Sequence, residues 1–224
     1  SALRHLRLGS NADELEQVFI NYWIGLEYIF SNYDIGDNTI NRLKEHFVNA
    51  HSLSYVKRNL LEFYKDISRL SLGANIPNYN EDLEFLKQES TYDFIMSNYW
   101  NDYPLLAFRA YQIKQLLNSN DRLKDTIKKH QTNLKRHLSR CYRVRNEIVH
   151  DAAIHLNIEA ITGNLKYYLT FIINDIIAYL NNNPMDLNLS GHLSIEDYFI
   201  YQSLKYKSLS KGGLTFAKLF DESS

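Results

Sequence analysis

Residues 121–150, DRLKDTIKKHQTNLKRHLSRCYRVRNEIVH, decide the fold. When each residue is advanced about 100° around an axis, Leu134, Leu138, Cys141, Ile148 and Val149 fall on one apolar stripe. The spacing predicts a long amphipathic helix over 121–149, opened by Asn120 or Asp121. Arg145 falls at the centre of that stripe. A guanidinium there has to meet an acid or an oxyanion, because burying it unpaired costs on the order of several kcal/mol. The partner is a carboxylate of the same chain, a second subunit, or a phosphate held by two parallel hydrogen bonds. Glu27, flanking the apolar face of an earlier predicted helix, is one such carboxylate.

The same helix carries a second pattern. Lys128, Lys129, Lys135, Arg136, Arg140 and Arg143 lie opposite the apolar stripe, and residues 122–145 hold nine Lys or Arg against one acid, Asp125, in a chain of net charge −1. A polyanion such as RNA is drawn to such a face because neutralised phosphates release counterions. A solvated basic face is the structural alternative. At the helix end stands His150, about 140° around an ideal helix from Arg145. The two converge only if the helix bends or if a second copy brings its own motif alongside. A helix C-terminus favours a protonated imidazole, and histidine is the side chain that changes charge near neutral pH. Arg145, Asn146 and His150 are therefore candidates for gripping a phosphate and moving a proton.

Outward from this helix the apolar spacing stays helical, interrupted by only three prolines and eight glycines. Helices are expected near 12–31, with Ser10 or Asn11 as caps, and over 38–70 after Asp37, broken between Asn49 and Ser54. A loop follows at 71–80, then helices near 81–98 and 104–118, the second opened by Pro104. After the basic helix come 155–182, ended by Asn182-Asn183-Pro184, and 194–209, where Ser194 and Asp197 have capping-box spacing. The class is all-α, a single helical bundle over 1–224 with an insertion at 71–118 and a C-terminal extension at 185–224.

The 224 residues, 45% hydrophobic and 23% charged, suffice for a buried core. No run reaches the ~18 apolar residues that cross a bilayer, and the first ten residues lack the apolar centre of a secretory signal. Cys141 alone excludes an internal disulfide framework and a Cys-rich zinc site. These features point to a cytoplasmic protein without a membrane span. Ser1 in place of Met leads us to expect a preceding domain in a longer protein. Gly-rich phosphate loops, Ser-His-Asp signatures and HExxH are absent.

Arg145, four intervening residues and His150, with the polar Asn146 directly after the Arg, resemble the motif of the HEPN superfamily of helical bundles. The opening Ala2-Leu3-Arg4-His5 and the stretch Phe19-Ile20-Asn21-Tyr22-Trp23-Ile24-Gly25-Leu26-Glu27-Tyr28-Ile29-Phe30 resemble the Apea-like HEPN group. The resemblance covers most of the chain, more weakly at 71–118 and after 185. It implies a metal-independent endoribonuclease without a cofactor, acting as a homodimer with a composite cleft and serving as the effector of a prokaryotic antiphage protein. It also implies that an RNA 2′-hydroxyl attacks the adjacent phosphate, leaving a 2′,3′-cyclic phosphate and a 5′-hydroxyl. His150 would be the general acid or base, Arg145 would hold the phosphate, and Asn146 would orient either. The variant motif with a modifiable Tyr is not matched, since Ala152 occupies that place.

The rival class is a non-catalytic module that dimerises and binds RNA or another partner; a weaker third is a ligand-sensing bundle. Glu147 and Asp151 read as solvated helix-end acids. His137 and Cys141, at i and i+4, lack further ligands for a metal, and His150 and His155 do not share a helix face. Of the tyrosines, Tyr167, Tyr168, Tyr198 and Tyr206 could stack bases, although most are expected in packing.

Overall fold

Every regular element among the described residues is helical, so the chain is an all-α bundle. The structure is a computed structural model that describes residues 1–31, 38–151, 158–182, 194–211 and 213–221. In order, the elements are α1 (Ala2–Ser10), α2 (Leu15–Ser31), α3 (Thr39–Arg42), a π-helical turn (Leu43–Phe47), α4 (Val48–Leu53) and α5 (Tyr55–Arg69). Two 3₁₀ turns (Gly73–Asn75, Glu84–Lys87) precede α6 (Glu89–Tyr99) and α7 (Pro104–Leu117). Then come α8 (Asn120–Asp151), α9 (Ile158–Asn182), α10 (Ile195–Lys211) and α11 (Phe216–Asp221).

Most expected helices are present, and the differences have local causes. Ser10 and Asn11 do not cap the second helix; they close α1, which the sequence pattern did not predict because Arg4, His5 and Arg7 interrupt its apolar positions. The break expected between 49 and 54 falls at Ser54, and a π turn at 43–47 adds a feature that apolar spacing does not encode. Asn38 caps α3 by accepting from the Ile40 amide at 3.2 Å. Pro104 does open α7. The capping box of α10 forms, with the Ser194 amide donating to Asp197 Oδ2 at 2.7 Å and the Asp197 amide to Ser194 Oγ at 3.2 Å. Asp37, the start of the 155–182 helix, its Asn183-Pro184 stop and residues 185–193 of the proposed extension lie outside the described residues.

The chain packs as two compact units. The first comprises residues 1–51 and 131–206, and its core is built from α1, α2, the α3–α4 segment, the second half of α8, α9 and α10. Phe19, Trp23, Leu26 and Phe30 of α2 are buried against Leu165, Leu169 and Ile172 of α9 and Leu138 and Cys141 of α8. Gly25 makes the close approach of α1, α2 and α9 possible: a Cβ there would stand 2.6 Å from Leu169 Cδ2 and 3.4 Å from His5 Cβ. The second unit comprises 52–130 and 207–224. In it α5 buries Val56, Leu60, Phe63 and Ile67 on one face, and α11, unforeseen because it is only six residues long, buries Phe216, Leu219 and Phe220. Lys87 ties α11 down through Asp221 at 2.5 Å and lies 4.5 Å from the Phe220 ring centre.

Half-buried histidines in both units are expected to make them sensitive to acid. Burial, aided by nearby Arg58, pushes the His130 imidazole down to about 4; burial also lowers His46 and His137. An unfolded histidine takes up its proton near pH 6.5 whereas folded His130 resists until about 4, so its contribution is complete above that range and is lost as the pH falls through it. The urea midpoint is expected to be lower at pH 5 than at pH 7.5, and His130→Gln to reduce the difference; identical midpoints would contradict this.

Candidate functional site

The second half of α8 presents the residues singled out in the sequence. α8 buries Leu134, Leu138, Cys141 and Val144, with Ile148 packed partly against the core. The buried sector is thus turned toward Val144, and Val149, expected on the stripe, lies just outside it at 51% exposure. Arg145 remains within the apolar sector, its side chain 27% exposed. Its Nη2 lies 3.7 Å from Glu27 Oε2 on α2, whose side chain is 26% exposed, and its Nη1 donates to Asn146 Oδ1 at 3.2 Å. Of the three partners that sequence reasoning allowed for Arg145, the same-chain carboxylate is the one found within this fold.

His150 is exposed near the end of α8. The helix runs unbroken through Asp151, with His150 on its exposed side. Within one copy the guanidinium is half-buried against α2 while the imidazole faces solvent. Arg145 and Asn146 are brought together; His150 is set apart. Glu147 is half-buried and interacts with a neighbouring group. The Asp151 side chain, Ala152 and His155 lie outside the described residues.

Lys135, Arg136, Arg140 and Arg143 are all exposed on the first unit's part of α8, and Lys128 and Lys129 are exposed on the part belonging to the second. This follows from the helix period, since the opposite positions carry the core. His137 and Cys141 are not arranged as metal ligands. His137 Nδ1 lies 3.1 Å from the Tyr168 hydroxyl and 3.7 Å from Cys141 Sγ, and burial pushes the Cys141 thiol up to about 12, which keeps it protonated. Among the described residues no group of three or more His, Cys, Asp or Glu could hold a metal ion. Tyr168 and Tyr198 are buried, and Tyr206 bonds Gln131 at 3.3 Å; Tyr167 is 43% exposed beside His51.

Sequence reasoning missed a cavity of about 460 Å³ in the second unit, lined by Arg109 and Arg122 among others. Its lining residues come from three helices at long sequence separations, and no linear spacing marks them. None of Arg145, Asn146 and His150 lines it.

Comparison of the chain with protein-family models, with curated proteins and with solved structures finds no match. No helix among the described residues is long and apolar enough to cross a membrane.

Proposed function

We propose that this protein is a metal-independent endoribonuclease of the HEPN type, a cytoplasmic defence effector that works as a homodimer on RNA. The observation that carries the proposal is the end of α8. Arg145 is preset by Glu27 and Asn146, His150 stands exposed five residues on, and a basic exposed face leads up to both. A regular helix keeps Arg145 and His150 on different sides, so a second copy has to complete the cleft. In that cleft His150 transfers the proton of the attacking 2′-hydroxyl or of the leaving oxygen, and Arg145 neutralises charge on the phosphate. The test is incubation of single-stranded RNA with the protein in excess chelator, beside Arg145→Ala and His150→Ala. Cleavage by the intact protein that both variants lose is expected; no cleavage, or undiminished cleavage by both variants, would overturn the proposal.

The Arg145–Glu27 pair favours a second reading, in which Arg145 is a structural cation of a non-catalytic dimerisation and RNA-binding module. Glu27→Gln separates the two. A half-buried pair at this distance contributes about 1 kcal/mol, so Tm is expected to fall by roughly 2–4 °C. Cleavage should persist in this variant, because Arg145 keeps its hydrogen bond to Asn146 and no longer divides its charge between Glu27 and the phosphate. Loss of stability in a protein that cuts no RNA would favour the module, and an unchanged Tm would remove Glu27 as Arg145's partner.

A further inference from the structure

The cavity of the second unit has the lining of a ligand site. Its volume of about 460 Å³ lies within the roughly 300–1,000 Å³ of small-molecule pockets. α5 supplies Tyr55 and Asn59, α7 supplies Arg109, Tyr111 and Gln112, and the first turns of α8 supply Arg122. The two guanidiniums are differently held. Arg109 donates to Asp66 and lies 5.8 Å from the Phe63 ring centre, which fixes the direction of its fork. Asp66 is shared with Arg69, so one carboxylate faces two guanidiniums. Arg122 donates to Gln115, an uncharged acceptor, and makes no ion pair among the described residues. Asp125 is the acid on the lining beside Arg109 and Arg122, so the lining is formally positive.

The uncharged groups narrow the ligand further. Gln112 offers an amide with both donor and acceptor, the pairing that reads a base edge, while Asn59 donates its Nδ2 to the Tyr55 carbonyl at 2.8 Å and brings its Oδ1 as an acceptor. The Tyr55 ring is tilted 45° to that of His130, ring centres 4.7 Å apart, and Tyr111 is 44% exposed, so aromatic rings border the cavity. Guanidinium forks suit a phosphate, amides suit a heterocycle's edge, and tyrosine rings suit its face.

We propose that this cavity binds a nucleotide, with the phosphate on Arg122 and Arg109 and the base against the tyrosine rings and the amides of Asn59 and Gln112. The ligand is either a free mononucleotide or the phosphorylated end of an RNA strand. The assignment stands independently of cleavage at the α8 terminus, and its test reads binding alone. Titration calorimetry on the full chain would use the four ribonucleoside 5′-monophosphates, their nucleosides, inorganic phosphate and a 5′-phosphorylated RNA pentamer, all under chelator.

At least one monophosphate is expected to bind with Kd below about 1 mM. Its nucleoside should bind about tenfold more weakly or worse, and Arg122→Ala should weaken the monophosphate by about tenfold or more. Arg122 is exposed, so its removal should leave the melting curve in place. Gln112→Ala should change the ranking of the four bases. Tighter, Arg122-dependent binding of the pentamer than of any monophosphate would identify the strand end as the source; the reverse would identify the free nucleotide. Absence of binding at millimolar nucleotide, equal binding of nucleosides, or indifference to Arg122→Ala would overturn the proposal.

Discussion

Replacing His150 by Ala is expected to slow RNA cleavage by about 10²- to 10⁴-fold, the usual worth of a positioned general acid or base, while leaving Tm where it was. The second half of that expectation comes from exposure. His150 lies outside the buried sector of α8, and surface substitutions away from special features typically change stability by about 0.5 kcal/mol or less. Arg145→Ala should behave differently. It removes the phosphate grip and also leaves Glu27, 26% exposed, without its cation, so both rate and Tm should fall. Single-turnover rates and melting curves for the two variants check this together. A His150→Ala protein that cuts RNA at the parental rate would refute the assigned proton transfer, and one that unfolds would show His150 to be a structural residue.

The second large effect is on stability. Trp23 is 1% exposed, and its ring centre lies 5.9 Å from that of Tyr142 on α8, three residues before Arg145. Truncating a buried Trp to Ala removes burial and leaves a cavity, a loss of about 3–5 kcal/mol from a total stability of ~5–15 kcal/mol for a domain. Trp23→Ala should therefore bring the urea midpoint down sharply and loosen α2, the helix that holds Glu27 against Arg145. Trp23→Phe should cost much less. The Trp23 Nε1 is buried without a hydrogen-bond partner, a defect worth about 1–3 kcal/mol, and phenylalanine removes that orphan donor while keeping most of the apolar area. Equal losses for the two substitutions would contradict the claim that the indole N–H is unsatisfied.

Particular residues show what the sequence could reveal. α8 and α9 were legible because each repeats its apolar positions over many turns, and the position of Arg145 in such a stripe called for an acid or an oxyanion, with Glu27 as one candidate among a same-chain carboxylate, a second subunit and a phosphate. Val149 was misplaced because the buried sector is turned toward Val144, a rotation that neighbouring helices set. α1 was hidden by Arg4, His5 and Arg7, and α11 by its length. The cavity with Arg109 and Arg122 was illegible because separate helices supply its walls. The chemistry proposed for the α8 terminus rests on residue types and their order along one helix, and the proposed dimer rests on the separation of half-buried Arg145 from exposed His150 within one copy.

The central claim is that an RNA 2′-hydroxyl is the nucleophile at a cleft built from Arg145 and His150. The most direct measurement is analysis of product ends from an RNA strand and from the same strand carrying a 2′-deoxy residue 5′ of each scission site, both with excess chelator. The RNA is expected to yield 2′,3′-cyclic phosphate and 5′-hydroxyl ends with no cut at the deoxy positions; cleavage at a deoxy position, or 5′-phosphate ends, would rule out the 2′-hydroxyl as nucleophile.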